Sequence, residues 1–102
     1  MIDIKLTQSF LNPSSIAIIG ASSNAKKTGS RIQRFLVAHG YKGRIFPVNP
    51  NRDNIFGLKC YSNLKKINEK VDHIFIALDG EKIIDSINDA ISIGVKCATI
   101  LS

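Results

Sequence analysis

Ser15-Ile16-Ala17-Ile18-Ile19-Gly20 is the stretch that decides the fold. It is short, continuously apolar and β-branched, the pattern of a strand buried on both faces of a parallel sheet. Gly20 closes it where the backbone must turn sharply and let other groups come close. The loop from Ala21 to Gly29 is rich in Ser, Asn and Gly. Ile32, Phe35, Leu36 and His39 then recur at helical spacing, and Gly40 stands where a helix end favours a left-handed residue. A second apolar strand, Arg44 to Val48, is stopped by Asn49-Pro50.

Further along, Gly57 to Tyr61 reads as a short strand or turn, and Ser62 as the cap of a brief helix over Asn63 to Ile67. Asp72 to Leu78 is a third apolar strand. Asp79 is placed to cap the next helix, which carries Ile83, Ile84, Ile87, Ala90 and Ile91 on one stripe and has Gly94 just past its end. Val95 to Leu101 is the fourth strand. The order β-α-β-(α)-β-α-β predicts a Rossmann-like, doubly wound parallel sheet in three α/β/α layers with right-handed crossovers. The second and third strands should flank the first, which puts a topological switch point above Gly20.

A chain of 102 residues with 44% hydrophobic content builds one core, so residues 1–102 are expected to form one domain. The last strand has no following helix, and Leu6 and Phe10 give Leu6 to Leu11 only a narrow stripe with which to fold back over it. The expectation is therefore a sheet truncated after its fourth main strand, the N-terminal part of a longer protein. A bare sheet edge of this kind invites self-association. No apolar run reaches the roughly 20 residues of a membrane span, and the start Met1-Ile2-Asp3-Ile4-Lys5 is no signal peptide, which points to a cytoplasmic protein with no membrane partner. Cys60 and Cys97 form no metal-ligand pattern and read as small reduced fillers.

The net charge of +6 favours anionic partners. The basic residues are scattered and lack interleaved aromatics, so a phosphorylated small molecule is expected and nucleic acid is not. The loop Gly20-Ala21-Ser22-Ser23-Asn24-Ala25-Lys26-Lys27-Thr28-Gly29 offers backbone N–H groups, two serine hydroxyls and the start of a helix near Ser30, with Lys26, Lys27 and Arg31 adding charge. These make a pyrophosphate cradle or a plain connecting loop, and local features do not choose between them. The loop is neither GxGxxG nor a P-loop. At the end of the second strand, where a NAD-binding domain places an acid for the ribose, stands Asn49, followed by Arg52. Asn49 can bond a ribose or base without repelling a phosphate, and Arg52 can pair with one. Coenzyme A and NADP both fit that description.

Pro13-Ser14-Ser15-Ile16-Ala17-Ile18-Ile19-Gly20-Ala21-Ser22, then Gly29, then Gly43-Arg44-Ile45-Phe46-Pro47-Val48-Asn49-Pro50, resembles the coenzyme A-binding domain of NDP-forming acyl-CoA synthetases. These include ADP-forming acetyl-CoA synthetase and, more distantly, the succinyl-CoA synthetase alpha subunit. Gly57 to Leu64, Val71-Asp72 and Gly94-Val95-Lys96 are similar to the same family in the same order. The resemblance implies CoA over the carboxyl ends of the strands. Gly20, Ala21, Ser22 and Ser23 would form the phosphate loop with Lys27, while Val48, Asn49 and Pro50 would lie beside the adenosine half. Ala77 and Leu78 would lie near the pantetheine. Asp79 departs from the family's usual Val-Pro-Ala and brings negative charge toward an anionic ligand, and Asn51 stands where a lysine is common. In the family, an ATP-grasp domain and a phosphohistidine domain do the chemistry as partners. Neither is in this chain, and His39, His73 and Ser22 have no readable acid-base arrangement, so no catalytic residue is expected. Two further readings stay open: an NAD(P)-binding redox-sensing domain, and a Rossmann interaction module without a ligand.

Overall fold

The computed structural model describes residues 13–101, so the expected contribution of Leu6 to Leu11 lies outside the described residues. The elements are β1 (Ser15–Ile19), α1 (Thr28–Ala38), β2 (Arg44–Val48), β3 (Asn54–Ile55), β4 (Leu58–Lys59), a 3-10 turn (Leu64–Lys66), β5 (His73–Ile76), α2 (Glu81–Ser92) and β6 (Cys97–Ile100). Four of the strands form one parallel sheet in the order β2-β1-β5-β6. β1 is central and buried at all five positions, as a continuous Ile-rich run requires. The chain leaves β1 to one side for β2 and later to the other for β5, so the switch point lies at the carboxyl end of β1.

Two cores cover the two faces. Ala17, Ile19, Phe46, Val48, Ile74 and Ile76 pack beneath α2 and the 3-10 turn, joined by Leu64, Ile67, Val71 and Ala90. On the other face Ile16 and Ile18 meet Ala21, Ile55 and Cys60, with Ile32 and Leu36 of α1 against them. This is the three-layer α/β/α arrangement read from the sequence. Both cysteines are buried and neither is in a disulfide.

The helices are rotated from their predicted stripes. α1 buries Gly29, Ser30 and Gln33, while Phe35 and Val37 are exposed and Phe35 stacks on His39 at 4.0 Å between ring centroids. The cause is close approach. A Cβ on Gly29 would lie 2.1 Å from the Gly20 carbonyl oxygen, so only small residues fit the contact and the helix turns them inward. One turn on, the Gln33 amide donates to the Ile55 carbonyl at 3.0 Å. In α2, Ala90 is buried but Ile84 and Ile91 face outward, 61% and 68% exposed. The sequence has apolar residues there because its isoleucines spread beyond the stripe that the sheet covers.

Two local expectations change, and a third, the short strand or turn over Gly57 to Tyr61, is met. Asp79 does not cap α2, whose N-cap residue is Gly80 and has no side chain to offer. Ser62 does not cap either: the Asn63 side chain accepts from the Lys65 amide and starts a 3-10 turn instead of a helix. The segment Gly57 to Tyr61 belongs to a β3–β4 hairpin whose two turn residues, Phe56 and Gly57, both have positive φ, the geometry that two-residue hairpins favour. Tyr61 then returns beside β2 through a parallel bridge to Val48.

Candidate functional site

A cleft of about 630 Å³ opens at the carboxyl end of β1, β2 and β5, at the topological switch point. Gly20, Ala21, Ser22, Lys27, Val48, Asn49, Pro50, Ala77 and Leu78 all line it. Residues from three separate sequence regions are thus brought together. Ser23 is not among them; it is exposed on the loop beyond Ser22. Arg52 is exposed and also does not line the cleft.

The floor is built by backbone geometry. Gly20 has φ +86°, and a side chain there would lie 2.5 Å from the Ala77 carbonyl oxygen, so this turn accepts only glycine. The Gly20 and Ala21 N–H groups both donate to the Val48 carbonyl, at 3.1 and 3.2 Å, tying the loop after β1 to the end of β2. The Ala77 N–H donates to the Ile19 carbonyl at 2.8 Å and ties the third segment to the first. Beyond the turn, the Ser22 hydroxyl accepts from the Asn24 N–H at 3.0 Å, and the Asn24 side chain accepts from the Lys26 N–H at 3.0 Å. Ser22 therefore keeps its own proton to donate toward the cleft. Lys27 is the N-cap residue of α1, and the first turn of that helix holds no acidic residue. The positive end of the helix dipole and the Lys27 ammonium act together at the same end of the cleft.

The Asn49 side chain bridges two loops. Its amide N–H donates to the Ala21 carbonyl at 2.8 Å, and its amide oxygen accepts from the Asn51 N–H at 2.8 Å. Behind it, burial pushes the Cys60 thiol pKa up, with backbone hydrogen bonding at Asn49 and Tyr61 opposing the rise and Asp53 adding to it. A thiol held neutral in this way is a poor nucleophile.

The opposite wall comes from α2. Lys82, Asp85, Ser86 and Asp89 line it at helical spacing, together with Asp79, and Asp89 pairs with Lys65 at 3.6 Å. Sequence reading of α2 attended to its apolar stripe and missed this polar one. The i, i+3, i+4, i+7 spacing of these four residues was visible, but not that the face points into the cleft. Asn51, Ser62, Asn63 and Leu64 complete the lining. The site holds Lys27 at the loop, and on the opposite wall Asp79 with Asp85 and Asp89 of α2, Lys82 standing among them. His39 and His73 lie outside it: His39 bonds the Phe35 carbonyl at 3.0 Å, and His73 is buried against Phe75 with a 2.7 Å bond to Thr99.

A family model described as CoA binding domain matches residues 14–102. The chain belongs to this CoA-binding domain family. It is 39% identical over 90 residues to an ADP-forming acetate–CoA ligase II of Archaeoglobus fulgidus, a match covering 88% of this chain and 13% of that protein. It is 31% identical over 99 residues to the alpha subunit of an ADP-forming acetate–CoA ligase I of Pyrococcus furiosus, covering 93% of this chain and 21% of that subunit. Among solved structures, the dinucleotide-forming acetyl-coenzyme A synthetase 1 of Ca. Korarchaeum cryptofilum, in complex with phosphate and ADP, superposes with a TM-score of 0.91 at 37% identity. That match covers 97% of this chain and 21% of the synthetase. This chain therefore spans only about an eighth to a fifth of the length of these relatives. No helix among the described residues is long and apolar enough to cross a membrane.

Proposed function

We propose that this chain is the CoA-binding domain of an NDP-forming acyl-CoA synthetase, an acid–thiol ligase, and that it holds CoA or acyl-CoA in the cleft with the phosphates at the β1–α1 loop. The observation that carries the reading is convergence: Gly20 to Ser22 with Lys27, Val48 to Pro50, and Ala77 with Leu78 reach one cleft in a chain of this family. The donors fit the ligand. Backbone N–H groups at the start of an eleven-residue helix, the Ser22 hydroxyl and the Lys27 ammonium suit a pyrophosphate. CoA supplies the reactive thiol; the residues of this chain bind and orient it, and none of them is assigned a chemical step. The Cys60 thiol, buried and held neutral, is kept out of exchange with it.

The chemistry of acid activation belongs in this reading to partner domains or subunits of the ATP-grasp and phosphohistidine kinds, in a longer cytoplasmic protein. The length of the relatives supports that view, since this chain spans only about an eighth to a fifth of them, and Ala98 and Ile100 are exposed on the β6 edge strand. In isolation the same edge would drive self-association.

The test is calorimetric titration with CoA, dephospho-CoA, NAD and NADP in parallel. CoA binding that weakens when the ribose phosphate is removed supports the reading. Preference for NAD or NADP would instead assign a redox-sensing domain, and binding of none of the four would leave a ligand-free interaction module.

A further inference from the structure

We propose that Asn49 is a positioning residue that sets the spacing between the two loops of the cleft, not a group that contacts the ligand. The inference rests on the reading of the cleft as the CoA site. The amide is the only side-chain chemistry of its size that satisfies both neighbours at once, because the Ala21 carbonyl needs a donor and the Asn51 N–H needs an acceptor. Both bonds are 2.8 Å, and Asn49 itself is half-buried. Its backbone is fixed as well: the Asn49 N–H donates to the Tyr61 carbonyl at 2.9 Å, and its carbonyl accepts from the Arg52 N–H at 3.4 Å and the Cys60 thiol at 3.7 Å. One residue thus joins the loop after β1, the loop after β2 and the strand returning from the hairpin.

The consequence is geometric. The Ala21 carbonyl belongs to the same peptide unit as the Ser22 N–H, within the loop assigned to the phosphates. Held by Asn49, that peptide has a fixed orientation relative to Val48 and Pro50. A ligand that spans both loops is sensitive to their spacing, because misplacement by about 1 Å is costly to a preorganised site. A ligand that touches one loop is not. An aspartate at this position would set a carboxylate oxygen against the Ala21 carbonyl, two acceptors facing each other, and push the loops apart.

The experiment compares Asn49→Asp and Asn49→Ala with the unaltered chain by calorimetry, using CoA, adenosine 3′-monophosphate and 4′-phosphopantetheine as probes. The expected result is a loss of CoA affinity of at least tenfold in both variants, with each half-ligand changed by less than threefold. If either half-ligand loses as much as CoA, Asn49 is a direct ligand contact and the proposal is wrong. Unchanged CoA affinity overturns it too. A second measurement needs no ligand and separates this proposal from the CoA reading. Amide hydrogen exchange of the free chain should quicken at least tenfold at Gly20 and Ala21 in both variants while Ile74 in β5 keeps its protection. Unaltered exchange at Gly20 and Ala21 refutes the clasp, whatever binds in the cleft.

Discussion

Replacing Gly29 with alanine should damage both the stability of the fold and the cleft, and the size of the effect follows from three distances. An added Cβ would lie 2.1 Å from the Gly20 carbonyl oxygen, 2.8 Å from its carbon and 3.0 Å from the Ala21 Cα, all of them backbone atoms. Moving the first contact from 2.1 Å to at least 3.0 Å needs a shift of about 0.9 Å between α1 and the turn after β1. No side chain can swing away to absorb it. The shift also loads the buried Gln33 bond to the Ile55 carbonyl one turn along the same helix. Overpacking of this kind costs about 1–3 kcal/mol. For a domain of this size each kcal/mol lowers Tm by roughly 4–8 °C. Thermal unfolding followed by circular dichroism measures the first effect and calorimetry with CoA the second. Gly40→Asn is the control, because a Cβ at Gly40 meets nothing within 4 Å and asparagine tolerates its φ of +73°. A Gly29→Ala chain that melts within 2 °C of the original and binds CoA equally well would refute the claim that α1 rests on this contact.

Lys27→Glu should weaken CoA binding at least tenfold with Tm unchanged within 2 °C, since Lys27 is exposed and shapes α1 only through its backbone; equal damage to both would make it structural. Asp79→Asn should tighten CoA binding severalfold by removing a like charge from the cleft wall, read by the same titration at low salt, and weaker binding would contradict that role. Burial raises the pKa of the Cys60 and Cys97 thiols and of the Tyr41 hydroxyl, with Asp72 adding to the rise at Cys97 and Tyr41 and Arg44 opposing it at Tyr41. All three groups keep their protons longer folded than unfolded, so their contribution is intact below about pH 8.5 and is lost as pH climbs through the raised values. Urea unfolding should therefore show lower stability at pH 10.5 than at pH 8, and equal stability would count against it.

The fold was legible because β1, β2, β5 and β6 announce themselves as apolar runs, and because parallel strands need crossovers of fixed hand. The side-chain directions of the helices were less so. Nothing local to Ser30 or Gln33 says that they face the sheet; the close pass at Gly29 decides it, and that contact spans the β1–α1 turn. Asn49 shows the same limit at the site. Its identity was read as the absence of a ribose-gripping acid, whereas its hydrogen bonds to Ala21 and Asn51 give a reason for an amide that depends on loops brought together only by folding. The α2 wall, with Asp85 and Asp89 beside Asp79, went unseen because charges on a helix normally face solvent.

The central claim, that the cleft at the switch point holds CoA with its phosphates at the β1–α1 loop, is tested most directly by mapping amide NMR shifts as CoA is added to the isotope-labelled chain. The account predicts the largest changes at Gly20, Ala21, Ser22, Lys27 and Leu78, with those at Ala21, Ser22 and Lys27 reproduced by pyrophosphate alone. Saturable shifts centred elsewhere, or none at millimolar CoA, would contradict it.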